Sequence, residues 1–201
     1  MRFLFTMSSI AIVAIRVQAQ SIDADFLIDV SRDTSTISPF IYGINASNVD
    51  PGIGYTARRL GGNRLTGYNW ENNASNAGSD WQQSSDDYMT SVFGIPYSRE
   101  NIPGITLTAF HDTSLAHGSY TLLTLPAAGY VARDKNGTVD SAEAAPSNRW
   151  RRVLNFKGAP FVTTPDTADS NVYIDEEVNF LASRYGHTEH CSDAFCKPCE
   201  G

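Results

Sequence analysis

Between Arg59 and Trp81 the chain reads Arg-Leu-Gly-Gly-Asn-Arg-Leu-Thr-Gly-Tyr-Asn-Trp-Glu-Asn-Asn-Ala-Ser-Asn-Ala-Gly-Ser-Asp-Trp, which gathers amides, carboxylates, arginine and flat aromatic rings into 23 residues. That mixture suits a sugar. Pyranose rings present apolar C–H faces that stack on Trp and Tyr, and their hydroxyls need the forked donors and acceptors of Asn, Asp, Glu and Arg. Four glycines, Gly61, Gly62, Gly67 and Gly78, let the backbone turn sharply and come close to a ligand. Trp70 and Trp81 read as stacking platforms. Arg64 has two equal readings, a sugar contact or a clamp on a carboxylate of its own loop. Glu71, between Trp70 and Asn72, is the glutamate with a site-like setting, and as a lone carboxylate it reads as a group that orients a loop or a polar neighbour.

Two other groupings could do chemistry. Cys191, Cys196 and Cys199 are the three cysteines of the chain and follow His187 and His190. Zinc takes four such ligands, but this stretch has no hydrophobic periodicity to build a supporting shell. A zinc site, a disulfide with a spare thiol and an adventitious tail all stay open, and the metal is unknown. Asp80, Asp86 and Asp87 offer oxygen ligands to a structural calcium ion, yet lack the spaced Asp-x-Asp-x-Asp-Gly loop of a dedicated site.

The elements that must position these residues are read from periodicity. Phe26 to Val30 and Phe40 to Ile44 have the apolar and β-branched content of short strands. Ala57 to Gly62 predicts a strand feeding the sugar-like run. Ser84 to Asp87 predicts a capped, acidic helix start, with Tyr88, Met89, Val92 and Phe93 following at helical spacing as core packing. Tyr120 to Leu125 predicts a strand buried on both faces, followed by a loop over Gly129 to Asp134. Arg149, Trp150, Val153 and Leu154 predict an amphipathic helical segment with Trp150 as a packing residue. A helix is predicted from Asp175 as cap to Gly186 as stop, with Val178, Leu181, Ala182 and Tyr185 on its core face. Glu176 and Glu177 then complement the helix dipole. Strands alternating with helices indicate an α/β class.

The ordered motifs Gly61-Gly62-Asn63-Arg64, Tyr68-Asn69-Trp70-Glu71-Asn72-Asn73, Ser75-Asn76-Ala77-Gly78 and Asp80-Trp81 resemble the start of the catalytic domain of glycoside hydrolase family 44. These are secreted enzymes that cut β-1,4-linked glucans and xyloglucan. Thr124, Pro126, Gly129, Tyr130, Val131, Ala132 and Asp134 match a second motif of that family. A third is Val172-Tyr173-Ile174-Asp175-Glu176-Glu177-Val178-Asn179-Phe180-Leu181, so the likeness runs from about Ile37 to Gly186. The resemblance implies an incomplete (β/α)8 TIM-like barrel, with N-terminal strands that in the family belong to a β-sandwich. It implies Asn63, Arg64, Tyr68, Asn69, Trp70, Asn73 and Trp81 as substrate contacts, a β-glucan polysaccharide as partner, and no cofactor for the chemistry. Retaining glycosidases of this kind use two carboxyl groups about 5 to 5.5 Å apart. In the family the proton donor is the Glu of an Asn-Glu-Pro motif beyond the helix ending here at Gly186, and the nucleophile lies farther on. This sequence contains no Asn-Glu dipeptide, so no catalytic residue is carried over.

Size points the same way, because a closed (β/α)8 barrel takes about 250 residues. Arg2, the apolar run Phe3 to Ile15 and Val17-Gln18-Ala19 read as a secretory signal peptide cleaved after Ala19. Removing residues 1–19 leaves 182 residues and moves the formal net charge from −7 to −9. Such an acidic balance disfavours nucleic acid as partner, and the apolar run is too short to span a membrane. Residues 20–186 are then the N-terminal part of the catalytic domain, secreted and extracellular. His187 to Gly201 reads as an off-pattern tail left by a frameshift, an unspliced intron or a misplaced stop. Of the sequons at Asn45, Asn73 and Asn136, Asn136 looks like an exposed turn and Asn45 is a second acceptor, whereas Asn73 is expected to stay unmodified. Three functions follow: an inactive piece of an endo-acting glycoside hydrolase, a glucan-binding secreted protein that does not cut, or a Cys/His metal-binding secreted protein.

Overall fold

A computed structural model describes residues 24–45, 50, 52–162 and 164–186. The signal segment with Ala19 and the Cys/His stretch from His187 lie outside the described residues. The chain divides into two units, Met1–Thr36 and Ile37–Gly201. In the first, the strand expected over Phe26 to Val30 is replaced by irregular backbone ending in a turn, with Phe26, Leu27, Ile28 and Val30 exposed. Asp29 explains the ending: its carboxylate accepts the Ser31 N–H at 3.0 Å and the Ser31 hydroxyl at 2.6 Å, a local turn that competes with an extended ladder.

The second unit contains strands β1 (Gly43–Ile44), β2 (Ala57–Leu60), β3 (Ser75–Asn76), β4 (Ser84–Asp86), β5 (Tyr120–Leu123), β6 (Tyr130–Ala132), β7 (Gly137–Thr138), β8 (Trp150–Leu154) and β9 (Asn171–Tyr173). Its helices are α1 (Asn63–Thr66), α2 (Tyr88–Val92), α3 (Ile105–Ala116) and α4 (Ile174–Tyr185). The order is that of an α/β fold. β1, β2 and β5 form a parallel sheet, with Gly43 opposite Ala57 and Leu60 opposite Leu123. Helix α3 covers the crossing from β2 towards β5, and buries Leu107 and Phe110 beside Arg58 of β2. The Arg58 guanidinium stacks 4.3 Å from the Phe110 ring and donates to Ser114 Oγ at 3.0 Å, so a buried cation is held by both an aromatic face and a hydroxyl.

Helix α3 has no counterpart in the sequence reading. Its buried face takes Thr106, Thr108 and Ser114 with Ile105, Leu107 and Phe110, and the polar members break the apolar period. Gly104 starts it at φ 66°, where a Cβ would lie 2.3 Å from the Phe180 ring of α4, so only glycine allows that approach.

Further expectations are corrected. The segment Ser84–Asp86 is strand β4, paired with Asn76 and Ser75 of β3, and Asp86 accepts the Tyr88 N–H at 3.1 Å to start α2 after the strand. The loop over Gly129 to Asp134 and the helix from Arg149 are instead β6 and β8, antiparallel with Tyr130 opposite Arg152 and Ala132 opposite Trp150. Val131, Ala132 and Val153 are the buried residues of that pair, in strands too short for a period to be read locally. β5 is paired with β2 on one side and exposes Tyr120 and Leu122, so it is not covered on both faces. In α4 the core side is carried by Ile174, Phe180 and Leu181 with Glu176 and Glu177 buried, while Val178 and Ala182 are exposed. Asp175 caps neighbouring backbone rather than its own helix, accepting N–H groups of Lys157 and Gly158 at 2.9 and 3.0 Å. Gly186 does end α4, at φ 65°.

Leu60, Leu65, Tyr68, Trp70, Met89, Leu107, Phe110, Val131, Val153 and Val172 form one apolar cluster, which joins the parallel sheet to the loops around it.

Candidate functional site

β2 ends at Leu60, and Gly61-Gly62 turn the chain into α1. Gly62 has φ 116°, a conformation that favours glycine, and the turn sets Asn63 and Arg64 beyond the strand's C-terminal end. In open α/β sheets that end is where ligands bind. The Asn63 side chain donates to Ala77 O at 2.8 Å and packs over Gly78, where a Cβ would come within 2.6 Å of the amide.

A hollow of about 290 Å³ opens there, walled by Asn45, Arg59, Asn63, Asp80, Trp81 and Tyr88 over a floor of Leu60, Leu65 and Met89. Trp81 is 65% exposed and Tyr88 50%, so both rings are presented rather than spent on the core. Arg64 lines the hollow and also clamps a carboxylate. It grips Asp86 with both terminal nitrogens, Nη2 to Oδ2 at 3.1 Å, donates to Ser75 Oγ at 3.1 Å, and lies 4.2 Å from the Tyr88 ring. The guanidinium thereby fixes the tilt of Tyr88. Arg59 donates to Asn45 Oδ1 at 3.2 Å across the rim.

Of the residues expected to touch substrate, Asn63, Arg64 and Trp81 line this hollow, whereas Tyr68, Asn69, Trp70 and Asn73 are buried behind it. Tyr68 donates to Asn73 Oδ1 at 2.6 Å, and Asn73 donates to Ile102 O at 2.7 Å and Glu100 O at 3.0 Å. Asn73 has φ 59°, a left-handed conformation Asn tolerates. Asn69 bridges Ala132 O at 3.0 Å and the Glu71 N–H at 3.1 Å. The Trp70 ring packs 5.3 Å from Phe180. These four side chains brace the loop that carries the wall. Tyr88, Arg59 and Asn45 were missed as wall residues. Tyr88 follows Trp81 by seven positions, and its helical spacing with Met89 and Val92 masked a ring turned outward.

The buried carboxyls are elsewhere. Glu71 Oε2 lies 2.6 Å from Arg151 Nη1, and burial outweighs that cation and pushes the carboxyl up to about 7. Glu176 pairs with Lys157 Nζ at 2.8 Å. Glu177 is fully buried, neither of its oxygens has a partner among the described residues, and burial pushes it up to about 8. None of the three lines the hollow, where Asp80 is the carboxylate present among the described residues. Asp86 is committed to Arg64, which removes it from the Asp80, Asp86 and Asp87 calcium set, and the described residues hold no cluster of three His, Cys, Asp or Glu side chains suited to a metal ion. Asn45 is exposed at the rim, and exposed Asn136 sits in a turn closed on Asp134 Oδ1 at 3.0 Å.

Outward rings, amides and a guanidinium thus gather at the end of a parallel strand of an α/β fold. The sequence pattern of glycoside hydrolase family 44 matches residues 74–195, and the chain belongs to that family. It is 52% identical over 171 residues to Endoglucanase A of Paenibacillus lautus, covering 85% of this chain and 24% of that protein. A Paenibacillus polymyxa family 44 xyloglucanase, solved with xyloglucan, superposes with a TM-score of 0.72 at 57% identity over 75% of this chain and 29% of its own. The family 44 endoglucanase Cel44A of Clostridium thermocellum gives a TM-score of 0.72 at 52% identity over 78% and 30%. The chain thus spans about a quarter of the curated relative. Hydrolysis by a pair of carboxyl groups needs no cofactor, which holds for this family.

Proposed function

We propose that this chain supplies the N-terminal, sugar-holding part of a secreted endo-acting glycoside hydrolase on β-1,4-glucan or xyloglucan. The observation that carries it is the pair of outward rings, Trp81 and Tyr88, across a hollow edged by Asn45, Asn63 and Arg59. The identity to an endoglucanase and to a xyloglucanase solved with xyloglucan supports this substrate class. β1, β2 and β5 are then strands of a (β/α)8-type barrel. Asn63, Arg64 and Trp81 serve at the surface of the site, and Tyr68, Asn69, Trp70 and Asn73 serve beneath it. Secretion follows from Arg2, the apolar run Phe3 to Ile15 and the small residue Ala19; among the described residues, no helix is long and apolar enough to cross a membrane.

Cleavage itself is assigned to carboxyl groups other than those described here. A retaining double displacement needs two facing carboxyls about 5 to 5.5 Å apart, and the hollow presents Asp80 alone among the described residues. The chain by itself therefore holds glucan without cutting it. Retention on insoluble cellulose and retardation in xyloglucan-containing gels test the reading. The 201-residue chain is retained, Trp81→Ala weakens retention, and no reducing ends appear from carboxymethylcellulose or xyloglucan. Turnover by the purified chain would overturn the assignment of the carboxyls, and retention indifferent to Trp81 would overturn the site.

A further inference from the structure

Asn63 has a second side. Behind it lies another hollow of about 240 Å³, whose lining includes Asn63, Thr66, Gly78, Tyr130, Ala145 and Trp150. The two hollows share Asn63 as a common ridge. Strand pairing explains how the far wall is made. Because Tyr130 stands opposite Arg152 and Ala132 opposite Trp150, Tyr130 and Trp150 occupy the same face of the β6–β8 pair as diagonal neighbours. Val131 on the opposite face and Ala132 on the ring face are both fully buried, so the two half-buried rings stand at the border of the core.

The wall is also held still. Trp150 Nε1 donates to Glu143 O at 3.0 Å, and the adjacent Arg149 is clamped to Asp134 at 2.8 Å and to Glu143 at 3.0 Å. Its polar groups, in contrast, are left over. Among the described residues, the hydroxyls of Tyr130 and Thr66 and the Oδ1 of Asn63 make no hydrogen bond. Two half-buried rings on a fixed strand pair, with spare hydroxyls and an amide oxygen between them, match the needs of a glycosyl unit: a flat face for its C–H surface and partners for its hydroxyls.

We infer that the Tyr130–Trp150 hollow is a second glycosyl subsite, which takes the part of a β-linked glucan chain that extends past Asn63 from the Trp81–Tyr88 hollow. The inference rests on the first hollow being a sugar site. A chain long enough to cross the ridge gains contacts that a short one cannot make, so this subsite sets a preference for longer oligosaccharides.

Calorimetric titration of the 201-residue chain with cellobiose, cellotetraose and cellohexaose tests it. Affinity rises with length in the unaltered chain. Trp150→Ala and Tyr130→Ala each weaken cellohexaose about threefold to tenfold and leave cellobiose unchanged, whereas Trp81→Ala weakens both. Trp150→Phe keeps a ring and retains most of the length gain. Should Trp150→Ala unfold through loss of its bond to Glu143, Tyr130→Ala carries the test, since its hydroxyl anchors nothing. Binding that depends on Trp81 but keeps its full length gain in Tyr130→Ala overturns the second subsite alone. Absence of any Trp81-dependent binding overturns the first hollow and this inference with it.

Discussion

Arg151 reaches back eighty residues to place its Nη1 2.6 Å from Glu71 Oε2, with 11% of the arginine side chain and 1% of the glutamate exposed. A second nitrogen of the same guanidinium binds Thr167 O, so the arginine ties the loop before β9 to the sugar-like run. Removing one partner of such a pair strands the other charge in a poor solvent. Arg151→Met is therefore expected to lower stability by about 3 kcal/mol in urea unfolding. The double variant Arg151→Met with Glu71→Gln recovers most of that loss, and a double variant as unstable as the single one would deny the coupling.

Glu177 gives a pH dependence. Its carboxyl and that of Glu71 sit above their ordinary values, at about 8 and about 7, because burial disfavours the charge. The folded state thus binds protons more tightly than the unfolded chain, and this contribution is fullest below about pH 4.5 and is lost as pH rises through 7 and 8. Glu177→Met removes the larger part. It is expected to stabilise by on the order of 3 kcal/mol at pH 7 and about 1 kcal/mol at pH 5. Parallel melting curves at the two pH values check it; an equal gain at both would remove titration as the cause.

Tyr88 separates binding from folding. Half of its surface is exposed and Arg64 holds it from the side, so Tyr88→Ala should cost under about 1 kcal/mol of stability yet weaken glucan retention about threefold to tenfold. Asp86→Asn acts through Arg64: the ring remains but loses its brace, and retention falls less. Affinity electrophoresis beside urea unfolding distinguishes the two effects.

Asn73 tests the buried role directly. Its amide meets Tyr68, Glu100 and Ile102, so Asn73→Ala leaves the buried Tyr68 hydroxyl and the Glu100 carbonyl without this partner, while Ile102 O keeps the Ile105 N–H, and is expected to cost about 2 to 4 kcal/mol. Expressed in a host that glycosylates Asn-x-Ser/Thr, the chain carries glycan at exposed Asn136 and none at Asn73. Peptide mapping by mass spectrometry reads both positions in one experiment, and a glycan on Asn73 would contradict its burial.

What the sequence disclosed followed the range of the forces involved. β2 and the Gly61-Gly62 turn were legible because a short apolar strand and a glycine pair act locally, and Gly186 marked the end of α4 for the same reason. β6 and β8 were not, because their pairing joins segments some twenty residues apart and only then becomes favourable. Helix α3 hid behind buried threonines, and α4 hid its core face behind two buried glutamates, which run against the usual preference of carboxylates for water. Of the run's candidates, Asn63, Arg64 and Trp81 line the hollow. Tyr68, Asn69, Trp70 and Asn73 do not, since a buried polar network and a sugar cleft draw on the same amides and rings. Composition alone cannot separate the two; φ, burial and partner do.

Among the described residues, strand β5 is hydrogen-bonded to β2 along one border only, with Leu122 exposed on its face and Tyr120 packed edge-on against Phe40 at 4.7 Å. A margin of this kind is a template that recruits further backbone. At high concentration the chain should cluster through Tyr120–Leu123, and Thr121→Lys should keep it dispersed, which light scattering of the two proteins at equal concentration checks.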